Sequence, residues 1–109
     1  MAYDDRLAHR VQAILAQTPN MVEKKMFGGI GYLVNGNMAC GIIGESLIVR
    51  VGPDRYQEAL SQPHTSIFDM TGRPMTGWVT VNPQAFDSQA ALESWVGLGL
   101  DFVATLPPK

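Results

Sequence analysis

The strongest constraint on the fold is an Asn35-Gly36 pair that lies between two largely apolar segments. Both residues tolerate positive φ angles, so the pair predicts a two-residue hairpin turn. The flanking segments, residues 24–34 and 38–43, are then expected to be antiparallel strands. A second turn leads to residues 47–51, in which side chains alternate between two faces. The sequence therefore predicts a three-stranded antiparallel meander.

A pair of glycines interrupts the first of these strands. Gly28 and Gly29 follow a run of mixed polar and apolar residues and precede an apolar one. Paired glycines inside a strand are typical of a β-bulge or of a close approach by another backbone. We therefore expect one long strand over residues 24–34, with a bulge at the glycines.

Three helices are predicted around this block. The first covers residues 4–16, where apolar residues recur at helical spacing. A second, short helix begins at Pro53, since proline suits the first turn of a helix. A third covers residues 88–106 and contains Gly97 and Gly99. Each glycine weakens a helix by about 1 kcal/mol relative to alanine, but both are small enough to let the helix approach the sheet closely.

Two further strands, residues 66–70 and 78–81, complete the predicted elements. The order is therefore α-β-β-β-α-β-β-α. Hairpin-linked strands imply an antiparallel sheet, and amphipathic helices bury their apolar stripes against it. We expect a two-layer α+β fold with a five-stranded antiparallel sheet and helices on one face, formed by one domain over residues 1–109.

Composition excludes several classes of protein. A chain with 46% hydrophobic and 17% charged residues is of ordinary globular composition. No apolar stretch approaches the roughly 18 residues that a membrane-spanning helix needs, and the N-terminus does not resemble a signal peptide. We therefore predict a cytoplasmic protein without a membrane partner. The lone Cys40 is interpreted as a small buried hydrophobic residue rather than a nucleophile.

No catalytic signature can be read in the sequence. The phosphate-binding pattern Gly-x-x-x-x-Gly-Lys-Ser/Thr is absent. Neither His9 nor His64 has a cysteine or histidine at metal-ligand spacing. The serines lack the context of a nucleophile elbow. We therefore predict no enzymatic activity, no catalytic residue, no cofactor and no metal.

The first candidate contact site is the segment that surrounds the glycine pair. Two lysines beside paired glycines can approach an anion, because exposed backbone N–H groups point towards it. The alternative is structural: the glycines let a helix or a neighbouring chain pack closely on a bulged strand. The candidate residues are Lys24, Lys25, Phe27, Gly28 and Gly29.

The second candidate contact site is Arg73, in the predicted loop of residues 71–74. An arginine held out by a rigid loop suits recognition of a carboxylate or a phosphate. The structural alternative is an ion pair with Asp69 or Glu45. Arg50 lies in the middle of a predicted strand, where it either projects from the exposed sheet face or pairs with an acidic residue.

Four stretches of the sequence together resemble one known family. They are KMFGG at residues 25–29, VNGNM at 34–38, LIVRVG at 47–52 and TGRPMTG at 71–77. Their order and spacing are similar to the N-terminal domain of the TfoX/Sxy competence-regulator family. The resemblance implies a two-layer fold like that of type III secretion chaperones, and a role in regulation alongside a transcription factor that responds to cyclic AMP. Members named for competence carry a second, helix-hairpin-helix-like domain, and we expect this chain to be a stand-alone N-terminal domain.

Three functions are compatible with these observations. The favoured one is a non-enzymatic regulatory or adaptor domain that acts through protein–protein contacts, as a homodimer and with a protein partner such as a transcription regulator. The second is a nucleic-acid-associated protein with a basic patch formed by Lys24, Lys25, Arg50 and Arg73, although a net charge of −2 does not favour it. The third is a small-ligand-binding domain that uses the Arg73 loop.

Overall fold

The computed structural model describes residues 3–26, 28–69, 72 and 74–108. Over these residues the chain forms three α-helices and six β-strands, together with two short 3-10 helices. In chain order they are α1 Asp5–Leu15, β1 Met21–Met26, β2 Gly29–Val34, β3 Asn37–Ile43, β4 Ser46–Arg50, α2 Tyr56–Leu60, β5 Thr65–Asp69, β6 Pro74–Val81 and α3 Gln89–Val103. The α+β class is as predicted.

The six strands form one antiparallel sheet in the order β1-β2-β3-β4-β6-β5. The expectation of five strands, with one bulged strand over residues 24–34, is wrong. The strands β1 and β2 pair as a hairpin in which Met26 lies opposite Gly29. Gly28 lies in the turn between the two strands. Gly28 has a φ of 75°, a left-handed conformation that glycine adopts without steric cost.

A bulge is present, but it lies in β3 rather than at the glycine pair. Tyr32 pairs with Cys40 while Leu33 pairs with Met38, so Ala39 is the additional residue. At this point α3 packs closely on the sheet, because a β-carbon at Gly99 would overlap the carbonyl oxygen of Ala39. The predicted close approach is therefore confirmed for Gly99. It is wrong for Gly97, which faces open space.

One face of the sheet packs against the helices. Alternate residues of the four central strands are buried there: Ile30, Tyr32, Cys40, Ile42, Leu47, Val49, Val79 and Val81. They pack against buried side chains of the helices, which include Leu7, Val11 and Leu15 of α1, Tyr56 and Ala59 of α2, and Leu92 and Val96 of α3. The helix α3 lies on β3 and β4, α2 lies on β5 and β6, and α1 packs against α3. We call this the helix-covered face and the opposite one the open face.

Several element boundaries follow local signals. The side chain of Asp4 caps α1 by accepting hydrogen bonds from the backbone N–H groups of Arg6 and Leu7, at 2.9 and 3.3 Å. The strand β6 begins at Pro74, earlier than the predicted residue 78, and the helix α3 ends at Val103 instead of residue 106. Much of the predicted loop of residues 71–74 lies outside the described residues.

The Tyr32 hydroxyl is buried without a hydrogen-bond partner among the described residues. Burial is the main cause that raises the pKa of Tyr32 above its ordinary value. An unsatisfied buried hydroxyl costs about 1–3 kcal/mol. We therefore expect Tyr32→Phe to raise the free energy of unfolding by about 1 kcal/mol, measured by urea denaturation. A clear loss of stability would show that the hydroxyl is hydrogen-bonded in solution.

Candidate functional site

The open face carries a groove of about 450 Å³ that no described helix covers. Its walls come from all six strands and are almost entirely apolar. The side chains used in the arguments below are Met26, Met38, Ile48, Phe68, Met75 and Trp78, with Arg50 at one side. We call this feature the open-face groove.

The floor of the groove includes Gly41 of β3, which lies directly opposite Gly31 of β2. Both glycines are buried, and neither has a side chain that would rise into the groove. The side chains of Met26 and Met38 occupy part of the space above Gly31. A β-carbon at Gly31 would lie 3.0 Å from the methyl carbon of Met26 and 3.2 Å from that of Met38. The groove is therefore a trough filled by flexible thioethers.

Aromatic side chains form one wall and hold Arg50. The ring of Trp78 lies 6.2 Å from the ring of Phe68, with 40° between the planes. The guanidinium carbon of Arg50 lies 5.4 Å from the Trp78 ring centre and 5.2 Å from that of Phe102 in α3. Both distances suit cation–π contacts. Gly52 allows the second contact, because a β-carbon there would overlap the Phe102 ring.

No described carboxylate forms an ion pair with Arg50. The sequence left two alternatives for Arg50: projection from the exposed sheet face, or a pair with an acidic residue. The second is not found among the described residues. The chain's acidic side chains all lie within the described residues, and none of them lines the open-face groove. Lys24 adds a second positive charge to the open face, since it lies opposite Gly31. The open face is thus basic in a protein whose net charge is −2.

The predicted contact residues do not form one patch among the described residues. Lys24 and Lys25 are exposed neighbours on β1, and they project to opposite faces because side chains alternate along a strand. Arg50 is three strands away on β4, a separation of about 14 Å. The structure does not bring these three side chains together, and their roles stay predictions. Phe27 and Arg73 lie outside the described residues.

The glycine pair has a geometry that fits the structural alternative. Gly28 is exposed in the turn between β1 and β2. Gly29 is buried against β3, where a β-carbon would overlap the carbonyl oxygen of Ile42. A glycine is therefore required at position 29 for the strands to pair.

The sequence alone does not locate the open-face groove, although a signal for it is present. In β2 and β3 the core residues alternate with Gly31, Leu33, Gly41 and Ile43. In an antiparallel strand with one solvated face, those positions are usually polar. Apolar residues and glycines in their place indicate a second surface that contacts something other than water.

Within the described residues, no group of three or more histidine, cysteine, aspartate or glutamate side chains could hold a metal ion. Over the same part of the chain, no helix is long and apolar enough to cross a membrane. A second cleft of about 390 Å³ lies between α2 and α3 and includes Arg55, Glu58 and Trp95. This cleft is more polar than the open-face groove.

Cys40 is fully buried on the helix-covered face, as predicted. Burial raises the pKa of its thiol to about 12. The thiolate is the reactive form, so the thiol stays neutral and unreactive at pH values well below 12. We expect a thiol reagent such as dithionitrobenzoate to leave the native protein unlabelled at pH 8 and to label it fully in denaturant. Rapid labelling of the native protein would contradict this burial.

These features define an α+β domain whose sheet has one face covered by helices and one open apolar face. The model of the TfoX N-terminal domain family matches residues 13–103 of the chain. The chain therefore belongs to the TfoX N-terminal domain family, a family of regulatory domains. No curated protein and no solved structure matches it significantly. The fold likeness to type III secretion chaperones stays a prediction.

Proposed function

We propose that the chain is a regulatory adaptor domain that acts through protein–protein contacts, with the open-face groove as its contact surface. The observation that carries this proposal is an apolar sheet face that no described helix covers. A sheet normally buries such a face against another layer of structure. A large contiguous apolar patch on a protein surface is typical of an interaction site. Membership of a family of regulatory domains supports the same function.

The chemistry of the groove supports binding rather than catalysis. Its described lining presents methyl, thioether and aromatic groups around a single guanidinium. Such groups bind apolar side chains and orient a charged one, whereas general acid–base catalysis needs a group that exchanges a proton near neutral pH. The proposed domain is therefore not an enzyme.

The cellular location of the protein and the kind of partner it binds are also part of the proposal. The resemblance to competence regulators favours a cytoplasmic protein whose partner is a transcription regulator. The homodimer predicted from the sequence remains a prediction. A mass measurement in solution, by sedimentation or light scattering, tests it directly.

Affinity capture from a lysate of the source organism, with and without nuclease, tests the proposed function. The wild-type protein is compared with two variants that each add one carboxylate. Met75→Glu alters the open-face groove, in which Met75 is 36% exposed. Ile67→Glu is the matched control, because Ile67 is 45% exposed but lies opposite the core residue Val79.

The proposal predicts a stoichiometric protein partner that survives nuclease, is lost with Met75→Glu and is retained with Ile67→Glu. A partner that both variants retain would contradict the assignment of the open face. A set of partners that disappears with nuclease would favour the nucleic-acid function. Capture of nothing by all three proteins would leave a small ligand as the better explanation.

A further inference from the structure

We infer that the occupant of the open-face groove is an amphipathic α-helix of the partner protein, with a carboxylate beside its apolar stripe that binds Arg50. The inference rests on the proposed function, because it names the chemistry of the partner at the same surface. Three properties of the open face support it: the dimensions of the sheet, the glycines beneath the groove and the positive charge at its side.

The dimensions of the open face fit a single helix. Six strands at about 4.8 Å spacing give a width of about 24 Å, and strands of about six residues give a length of about 20 Å. A helix rises 1.5 Å per residue, so about 16 residues cross this width. The other face of the same sheet is already covered by helices. A partner helix would complete a three-layer structure.

The floor of the groove provides depth for the side chains of such a helix. Gly31 and Gly41 have no side chains, and the flexible ends of Met26 and Met38 lie over Gly31, within 3.0 to 3.3 Å of a β-carbon built there. Methionine side chains change rotamer easily, and methionine-rich grooves are used to bind the apolar face of helices. Small-molecule sites instead enclose most of the ligand surface. This groove is an open trough, which favours a helix.

The charge at the side of the groove defines the remaining feature of the partner. Arg50 is held between Trp78 and Phe102, at 5.4 and 5.2 Å from their ring centres. Stacked rings contact the faces of a guanidinium and leave its in-plane N–H donors available. No described carboxylate uses these donors. A glutamate or aspartate of the partner can therefore bind them in a two-pronged arrangement.

The same charges argue against a second copy of this chain as the occupant. Stacking two open faces would bring Arg50 and Lys24 of each copy towards those of the other, and no acidic side chain lines the described groove. Like charges brought together across an interface disfavour association.

The area of the open face, about 500 Å² from the dimensions above, is small for a specific interface. We therefore expect a dissociation constant in the micromolar range.

Selection from a displayed library of 16-residue amphipathic helices tests the inference. Wild-type protein is the target, and the helix positions that face the target are randomised over apolar and charged residues. Enriched peptides are expected to carry apolar residues at helical spacing and at least one glutamate or aspartate. Circular dichroism is expected to show that they become more helical when bound. The binding of one enriched peptide is then measured against variants of the protein.

Arg50→Gln is expected to weaken binding of this peptide about 10- to 100-fold, and Arg50→Lys to weaken it less. Arg55→Gln is the matched control, since Arg55 lies outside the open-face groove and is 3.8 Å from Asp101. It should change the affinity less than twofold. Replacing the acidic residue of the peptide by its amide should lower the binding affinity as much as Arg50→Gln does. The two changes made together should lower the affinity little further. Thermal unfolding of each variant checks that it is folded.

Enriched peptides without an acidic residue, or equal binding to Arg50→Gln, would overturn the inference. Peptides that bind as strands, or a dimer of this chain that dissociates on Met75→Glu, would also overturn it. These results are distinguishable from failure of the proposed function. If capture of the lysate partner depends on Met75 but an enriched helical peptide does not displace that partner, the adaptor function is supported. The inference that a helix occupies the groove is then wrong. If no partner depends on Met75, the proposed function itself is wrong.

Discussion

Gly99→Ala is expected to lower the free energy of unfolding by about 2 kcal/mol, although alanine is the better helix former. The reason is the contact between α3 and the bulge in β3. A β-carbon at position 99 would overlap the carbonyl oxygen of Ala39, which belongs to the backbone and cannot rotate away. Either the helix or the bulge must move, and both lie in the closely packed interior. Urea denaturation measures the loss.

Gly97→Ala is the matched control in the same helix. No atom lies within 4 Å of a β-carbon built at Gly97, so only the gain in helix propensity remains, up to about 1 kcal/mol. The two substitutions are chemically identical, and we expect them to have opposite signs. Equal stabilisation by both would contradict the close approach of α3 to Ala39.

Gly31→Val is expected to abolish partner binding while the fold is retained. The atoms nearest to a β-carbon at Gly31 are the ends of the Met26 and Met38 side chains, at 3.0 to 3.3 Å. These ends can rotate away, and a β-branched residue is better suited to a strand than glycine. We expect the stability to change by less than about 1 kcal/mol. The valine would push the ends of Met26 and Met38 into the groove, so the affinity for the partner should fall at least about tenfold.

The interpretation of this variant depends on two measurements made together. Urea denaturation reports the stability, and capture of the partner from lysate reports the binding. Ile67→Glu serves again as the control that changes the surface on the opposite face. Full retention of the partner by a folded Gly31→Val protein would show that the floor of the groove is not used.

Local signals were sufficient to predict much of the fold. The Asn35-Gly36 turn is confirmed, with φ angles of 52° and 84° between β2 and β3. The cap at Asp4 is confirmed by its hydrogen bonds to the first turn of α1. These features depend on residues that are close in sequence, and for that reason their physical chemistry can be read from the sequence alone.

The first hairpin could not be predicted in the same way. A glycine pair is compatible both with a bulge inside a strand and with a turn between two strands. The choice depends on whether the residues before Gly28 pair with those after it, and this register is set by the whole sheet. Gly29 packs against Ile42 of β3, a contact that only the folded structure shows.

The candidate site was predicted only in part. Arg50 was singled out, but its position between Trp78 and Phe102 depends on side chains that lie 28 and 52 positions further along the chain. The pairing of Gly31 with Gly41 depends on the register of β2 and β3, which the bulge at Ala39 changes. The predicted basic patch included both Lys24 and Lys25, but side chains alternate along β1 and these two project to opposite faces of the sheet.

Site-specific photo-crosslinking in the source organism tests whether the open-face groove is the surface that contacts a partner protein. A photoreactive amino acid is placed at position 75 in one protein, within the open-face groove, and at position 67 in another, on the opposite face. We expect a crosslink to a partner protein from position 75 and none from position 67. Crosslinks from position 67 alone would contradict it, as would crosslinks from position 75 only to a second copy of this chain.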